Sequence, residues 1–153
     1  TARQLDTVLR YIEIGKREAT WLCGGERLGG PDYERGYYVS PAVFTDVTQQ
    51  MQIAREEIFG PVQSVIKWSD EEKMIEEVNR PEYGLTASIY TKDLSTAHRT
   101  ASRIDVGYIW INAFTGPALG TPYGGIKQSG YGRNKVIEEM FSNMNMKNIN
   151  ITL

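Results

Sequence analysis

Residues 85–112 read LTASIYTKDLSTAHRTASRIDVGYIWIN. Their reading decides the fold class. The first part, LTASIYT (85–91), has the β-branched and aromatic content of a strand. Lys92 and Asp93 make a turn. Residues 95–104 (STAHRTASRI) predict a helix with Ala97, Ala101 and Ile104 facing inward. GYIWIN (107–112) predicts a strong second strand. Strands that alternate with helices define an α/β protein.

Working upstream, Asp70 is the expected N-cap of a helix over 71–79. Glu71 and Glu72 sit favourably in its first turn, where the helix dipole favours negative charge. The stretch NRPEYG ends that helix, and VQSVIKW (62–68) precedes it as a strand. Just before that strand comes AREEIFGPV (54–62). It sets two carboxylates, Glu56 and Glu57, beside an aromatic, Phe59. Gly60 then frees the backbone and Pro61 fixes it. Two readings fit these residues. One is a ligand ledge, because a carboxylate accepts hydroxyl protons and an aromatic face suits a planar ring. The other is a plain turn with exposed acids and a core Phe.

Further upstream, Leu5, Val8, Leu9 and Ile12 fall on one face of a helix over 5–19, with Gly15 near its end. TWLC (20–23) reads as a short strand running into a glycine-rich turn. A phosphate loop at Gly24, Gly25, Gly29 and Gly30 would need a following helix, and no helix-forming segment follows. Residues 36–47 have strand composition, with Pro41 marking an edge, bulge or break. Residues 49–55 predict a helical turn.

Downstream of the opening stretch, AFTGPALGTPYGGIKQSGYGR (113–133) is loop-like and rich in Gly and Pro. A loop of that length is usually functional or packed against something else. A helix over 134–144 follows, then NINITL (148–153), whose alternation predicts a final strand.

A chain of 153 residues is long enough for one domain burying ~70% of its unfolded surface. The 17 basic and 19 acidic residues give a net charge of −2, and no basic stripe or tail points to nucleic acid. No apolar run approaches the ~20 residues that cross a bilayer, so no membrane is expected. The opening residues TARQLDTV lack the apolar segment of a signal peptide. The single cysteine, Cys23, excludes an internal disulfide and fits a reducing, cytoplasmic compartment. A start at Thr1 without Met hints at a fragment or a processed chain.

Four motifs now stand in order: EEIFGPV (56–62), YGLTASIYTKD (83–93), GYIWIN (107–112) and PYGGIKQSGYGR (122–133). Together they resemble the C-terminal part of the catalytic domain of the NAD(P)-dependent aldehyde dehydrogenases. The resemblance runs nearly end to end and covers roughly the last third of such an enzyme. It implies a mostly parallel sheet flanked by helices over 1–147, and a terminal strand over 148–153 for homo-oligomer assembly. It implies NAD or NADP as cofactor, with Glu57 on the nicotinamide ribose hydroxyls and Phe59 against the nicotinamide ring. Glu56 is expected to act as a cap or ion-pair partner. Tyr123 matches an aldehyde-tunnel aromatic, and Phe114 and Thr115 match variable tunnel positions.

Lys127, Ser129, Gly130, Gly132 and Arg133 are read as architecture, with Arg133 tying loop to core. The family usually continues with an acid after that Arg, where this chain has Asn134. In the family a cysteine thiolate adds to the aldehyde, hydride passes to the cofactor, and water hydrolyses the thioester. That cysteine and the general-base glutamate lie upstream of this segment, so no catalytic residue is expected here. The chain alone is expected to be inactive. Cys23 matches a non-catalytic position, His98 reads as a surface residue, and no grouping has metal-ligand spacing. Two alternatives stay open: a non-catalytic assembly module, or an acylating relative that uses phosphate or CoA in place of water.

Overall fold

The computed structural model describes residues 1–114, 116 and 118–152. The chain divides into two units, Thr1–Asp70 and Glu71–Leu153.

In the first unit, α1 (Ala2–Glu18) is N-capped by Thr1, whose hydroxyl accepts the Gln4 N–H. The helix buries Leu5, Val8, Tyr11, Ile12 and Ile14. Leu9 is only partly buried, so the apolar face is centred slightly off the expected stripe. β1 (Thr20–Cys23), β2 (Ala42–Thr45) and β3 (Val62–Ser64) form one sheet in that order, β1–β2 antiparallel and β2–β3 parallel. The strand expected over 36–47 starts only after Pro41, which has no N–H to give a ladder. Ahead of it, Arg27 and Val39 make an isolated bridge. A short helix, α2 (Gln52–Arg55), connects β2 to β3.

Ala42 and Phe44 alternate inward from β2, and Phe44 is completely buried beside Ile12, Val47, Ile53 and Ile58. Burying a side chain of that size removes it from water at a gain of about 1.5–3 kcal/mol. Gly15 makes the fit possible, because a Cβ there would lie 2.7 Å from the Phe44 ring.

In the second unit, α3 (Glu71–Asn79) has the predicted bounds. β4 (Tyr83–Gly84), β5 (Thr86–Ile89), α4 (Leu94–Ala101) and β6 (Tyr108–Ile111) follow. β5 and β6 are parallel, Thr86 opposite Tyr108 and Ile89 opposite Ile111, with α4 between them in sequence. Asp93, read from sequence as part of a turn, caps α4, its carboxylate accepting the Thr96 N–H at 3.1 Å. The backbone N–H holds that carboxyl below its usual pKa. Side chains lace α3 to α4 and to the turn after it: Glu72 takes both arms of the Arg103 guanidinium, and Glu71 accepts from Arg99 and Thr100 of α4.

The long segment 113–133 is less loop-like than expected. It contains β7 (Ile126–Lys127), which pairs antiparallel with β4. The α/β class stands, but the strands among the described residues form three small sheets with mixed pairing where a mostly parallel sheet was expected. A short α5 (Ile137–Ser142) stands where a helix over 134–144 was expected. Residues 148–152 form no strand among the described residues, and Leu153 lies outside them. A strand needs a neighbour for its backbone groups, and none pairs with this stretch here. Among the described residues no helix is long and apolar enough to cross a membrane.

Candidate functional site

The ledge begins where α2 ends. Glu56 leaves the helix in extended conformation (φ −108°, ψ 145°), its N–H still bonded to the Gln52 carbonyl. Ile58 is buried and anchors the turn in the core. Phe59 then adopts a left-handed backbone (φ 54°) and leaves its ring 78% exposed. A non-glycine residue in that region carries strain that the surroundings must offset. Gln4 on α1 does so, donating to the carbonyls of Phe59 (2.9 Å) and Ile58 (3.3 Å). Gly60 lets the turn close onto α1, since a Cβ there would lie 2.4 Å from Val8 Cγ2. The Pro61 carbonyl accepts the Ala42 N–H at 2.8 Å, fixing the exit to β2.

The two acids take different surroundings. Glu56 Oε2 accepts from the Tyr11 hydroxyl at 2.6 Å and from Gln52 Nε2 at 2.9 Å. The Gln52 bond, then the Tyr11 bond, hold its carboxyl below the ordinary range. The same bond raises the Tyr11 hydroxyl above its usual value. Glu56 is thus a structural acceptor, held by hydrogen bonds instead of the ion pair that sequence offered as one option. Glu57 is exposed and makes no hydrogen bond or ion pair among the described residues. It shares with Glu56 and Phe59 an open groove of about 380 Å³, walled by Ile53, Ala54, Val62 and Ile66. An acceptor-only group and an exposed ring on one groove fit a ligand that brings hydroxyls and a planar ring.

In the second unit, Tyr123 and Phe114 belong to one run of rings. Tyr123 lies 5.6 Å from Tyr108, Tyr108 lies 4.8 Å from Trp110, and Trp110 lies 5.7 Å from Phe114. Tyr108 and Trp110 entered the sequence reading only as strand residues. Their i, i+2 spacing, which puts both on one face of β6, was the signal that could have found them. The Trp110 Nε1–H is buried and has no acceptor among the described residues. Thr115, the third expected pocket position, lies outside the described residues.

The glycine-rich motif after Tyr123 is scaffolding. Arg133 donates to the carbonyls of Gly125 (2.9 Å) and Gly132 (2.7 Å), and Ser129 accepts the Gly84 N–H. Lys127 donates to the Asn79 carbonyl. Asn134, where the family favours an acid, pairs through its backbone with Tyr123. Asn112, at φ 53°, uses its side-chain amide to bond both backbone groups of Thr91, extending the β5–β6 ladder by one step. Cys23 and His98 are exposed. Among the described residues no group of three His, Cys, Asp or Glu could hold a metal ion.

The sequence profile of the aldehyde dehydrogenase family matches residues 1–149. The chain is 48% identical over 152 residues to the aldehyde dehydrogenase tropH of Talaromyces stipitatus, covering 97% of this chain and 30% of the relative. It therefore spans under a third of that relative's length. Among solved structures it resembles the P. syringae indole-3-acetaldehyde dehydrogenase AldA, a variant in complex with NAD+ and IAA (TM-score 0.82, 42% identity, 88% of this chain and 27% of that one). The NAD+ complex of an aldehyde dehydrogenase from Bacillus cereus is similar (TM-score 0.80, 46% identity, 87% and 26%). The α/β arrangement here is that of a portion of those folds.

Proposed function

Because the chain belongs to the aldehyde dehydrogenase family, we propose that it is the C-terminal part of the catalytic domain of an enzyme that oxidises an aldehyde to a carboxylic acid with NAD or NADP. The observation that carries this reading is the ledge: a carboxylate without a partner among the described residues and an exposed, left-handed Phe on one groove. The NAD+ complexes of the related enzymes support the choice of cofactor. NAD, when bound, supplies the hydride acceptor. Glu57 accepts the hydroxyls of the nicotinamide ribose, and Phe59 covers one face of the ring. Tyr123, Phe114 and Thr115 form part of the aldehyde-pocket wall, a role that the run of four rings supports.

The cysteine that forms the thioester belongs to the upstream part of the parent, so the isolated chain turns over no aldehyde. NAD-dependent turnover by this chain alone would overturn that statement. In the full-length parent, Glu57→Gln keeps the shape and removes the charge. NAD affinity should fall about tenfold to a hundredfold, the worth of a charge-assisted hydrogen bond, with the melting temperature unchanged. Unchanged affinity together with an unchanged hydride-transfer rate would reject the ledge as a cofactor site.

A second role runs beside the first. Ile149 and Ile151 are 70% and 79% exposed in an unpaired segment, which supports strand addition to another copy of the protein. Residues 148–153 act as the assembly strand of a cytoplasmic homo-oligomer. Deleting them from the full-length protein should lower its assembly state in sedimentation, and an unchanged state would remove this role.

A further inference from the structure

Helix α1 touches the ledge at Gln4, Val8 and Tyr11, one turn or less apart. We infer that Tyr11 is a positioning residue for the cofactor: its hydroxyl ties down Glu56, and the tied Glu56 sets the direction of Glu57. The inference rests on the proposed reading of Glu57 and Phe59 as cofactor groups. Its basis is backbone geometry. Glu56 is extended, and in extended chain successive side chains leave on opposite sides. With Glu56 drawn onto Tyr11 and Gln52, Glu57 has to leave the other way.

The anchor itself cannot follow Glu56 outward. Tyr11 is 8% exposed and its ring belongs to the core cluster with Val8, Ile12 and Phe44. Without the tether, either of two adjacent carboxylates could swing to the groove, and the like charges would repel each other there. With it, Glu56, which also borders the groove, is committed to Tyr11 and Gln52 as an acceptor, and Glu57 is left for ligand. The motif's second glutamate is thereby available because its first is occupied. Gln4 holds the carbonyl side of the same turn, so the ledge is pinned on both flanks of Glu57.

The test uses the full-length parent. Tyr11→Phe removes one oxygen and leaves the ring in the core. NAD affinity should fall about threefold to tenfold, the worth of one hydrogen bond. KM for the aldehyde and the melting temperature should hold. Glu56→Gln, which keeps the side-chain shape, should shift NAD affinity in the same direction and covers the case in which Tyr11→Phe folds poorly. On a Glu57→Gln background, Tyr11→Phe should add little, because its effect runs through Glu57.

Full additivity of the two substitutions overturns the inference. So does a loss of aldehyde and NAD affinity in parallel with a falling melting temperature, the mark of a merely structural bond. If Glu57→Gln weakens NAD binding while Tyr11→Phe and Glu56→Gln do not, the positioning role fails and the ledge stands. If Glu57→Gln itself has no effect, the ledge reading fails and the positioning role with it.

Discussion

In residues 1–70, ten hydrophobic side chains among those described are buried, Phe44 and Ile12 completely. In residues 71–152 the buried hydrophobic side chains among those described are only Ile75 and Ala97. The first unit is closed by apolar packing around one sheet and one long helix. The second is held by directional polar contacts: Glu72 on Arg103, Asn79 on Arg103 and Asp105, Asn112 on Thr91, Arg133 on Gly125 and Gly132. The contrast extends to the candidate sites. The ledge of the first unit is buttressed from α1 by Tyr11, a core residue, and by the exposed Gln4. The aromatic run of the second leaves Phe114 77% exposed and an indole N–H without an acceptor among the described residues. A region with a closed core can preorganise a site unaided, whereas one built from hydrogen-bonded clamps keeps apolar surface available for whatever covers it.

The strongest challenge to this contrast is Phe44→Ala. Emptying the best-packed position should cost about 3–5 kcal/mol, read by urea unfolding. Hydrogen exchange should show protection lost across residues 1–70 and largely kept in 71–152. Equal loss in both would mean that the two units unfold as one cooperative body. Arg133→Lys probes the other side. Lys cannot reproduce the planar fork, and with the site half-exposed the expected cost is about 1 kcal/mol. Here the loss of exchange protection should centre on β4 and β7. A cost as large as that of Phe44→Ala would refute a clamp of modest worth.

Acid should give the smallest and most graded effect. Glu56, Glu72 and Asp93 all have carboxyls held below the usual range, chiefly by Gln52, Arg103 and the Thr96 N–H respectively. Lowered folded values mean that their stabilisation is complete above the ordinary carboxylate pKa of about 4. It is lost as the pH falls through the lowered values. Two of the three lie in the second unit, where little core compensates, so residues 71–152 should lose exchange protection at higher pH than residues 1–70. The reverse order would show that the apolar core is the more acid-sensitive element. Tyr11 works in the opposite sense: its raised value stabilises below about pH 10 and the contribution fades above it.

Much of this was legible beforehand. The helix over 71–79, the strand–helix–strand run over 85–112 and the turn at Gly60 and Pro61 follow from local rules of capping, periodicity and backbone freedom. The architectural reading of Arg133 could also be read from the residues and the resemblance they carry. Misjudged elements share one cause. The strand at 36–47 shrank to the part with a partner, and the segment 113–133 gained β7 because β4 was there to receive it. Strand pairing is a property of two distant segments, and no local pattern reports the second one.

Sequence by itself determined the residue chemistry available: an acid pair before an aromatic, a glycine and a proline, on a chain whose elements alternate between helix and strand. It also carried the likeness to a family, because four motifs keep their order and spacing. Only the tertiary structure decided which of the two acids is tied to the protein by side-chain hydrogen bonds. Tyr11 is 45 positions from Glu56 in the chain, and the hydroxyl reaches the carboxylate only because α1 packs beneath the turn. It also decided that Phe59 turns left-handed with its ring outward, since the Gln4 and Val8 contacts that support that backbone come from the same remote helix. Local chemistry names the candidates for a site, and long-range packing assigns each its direction.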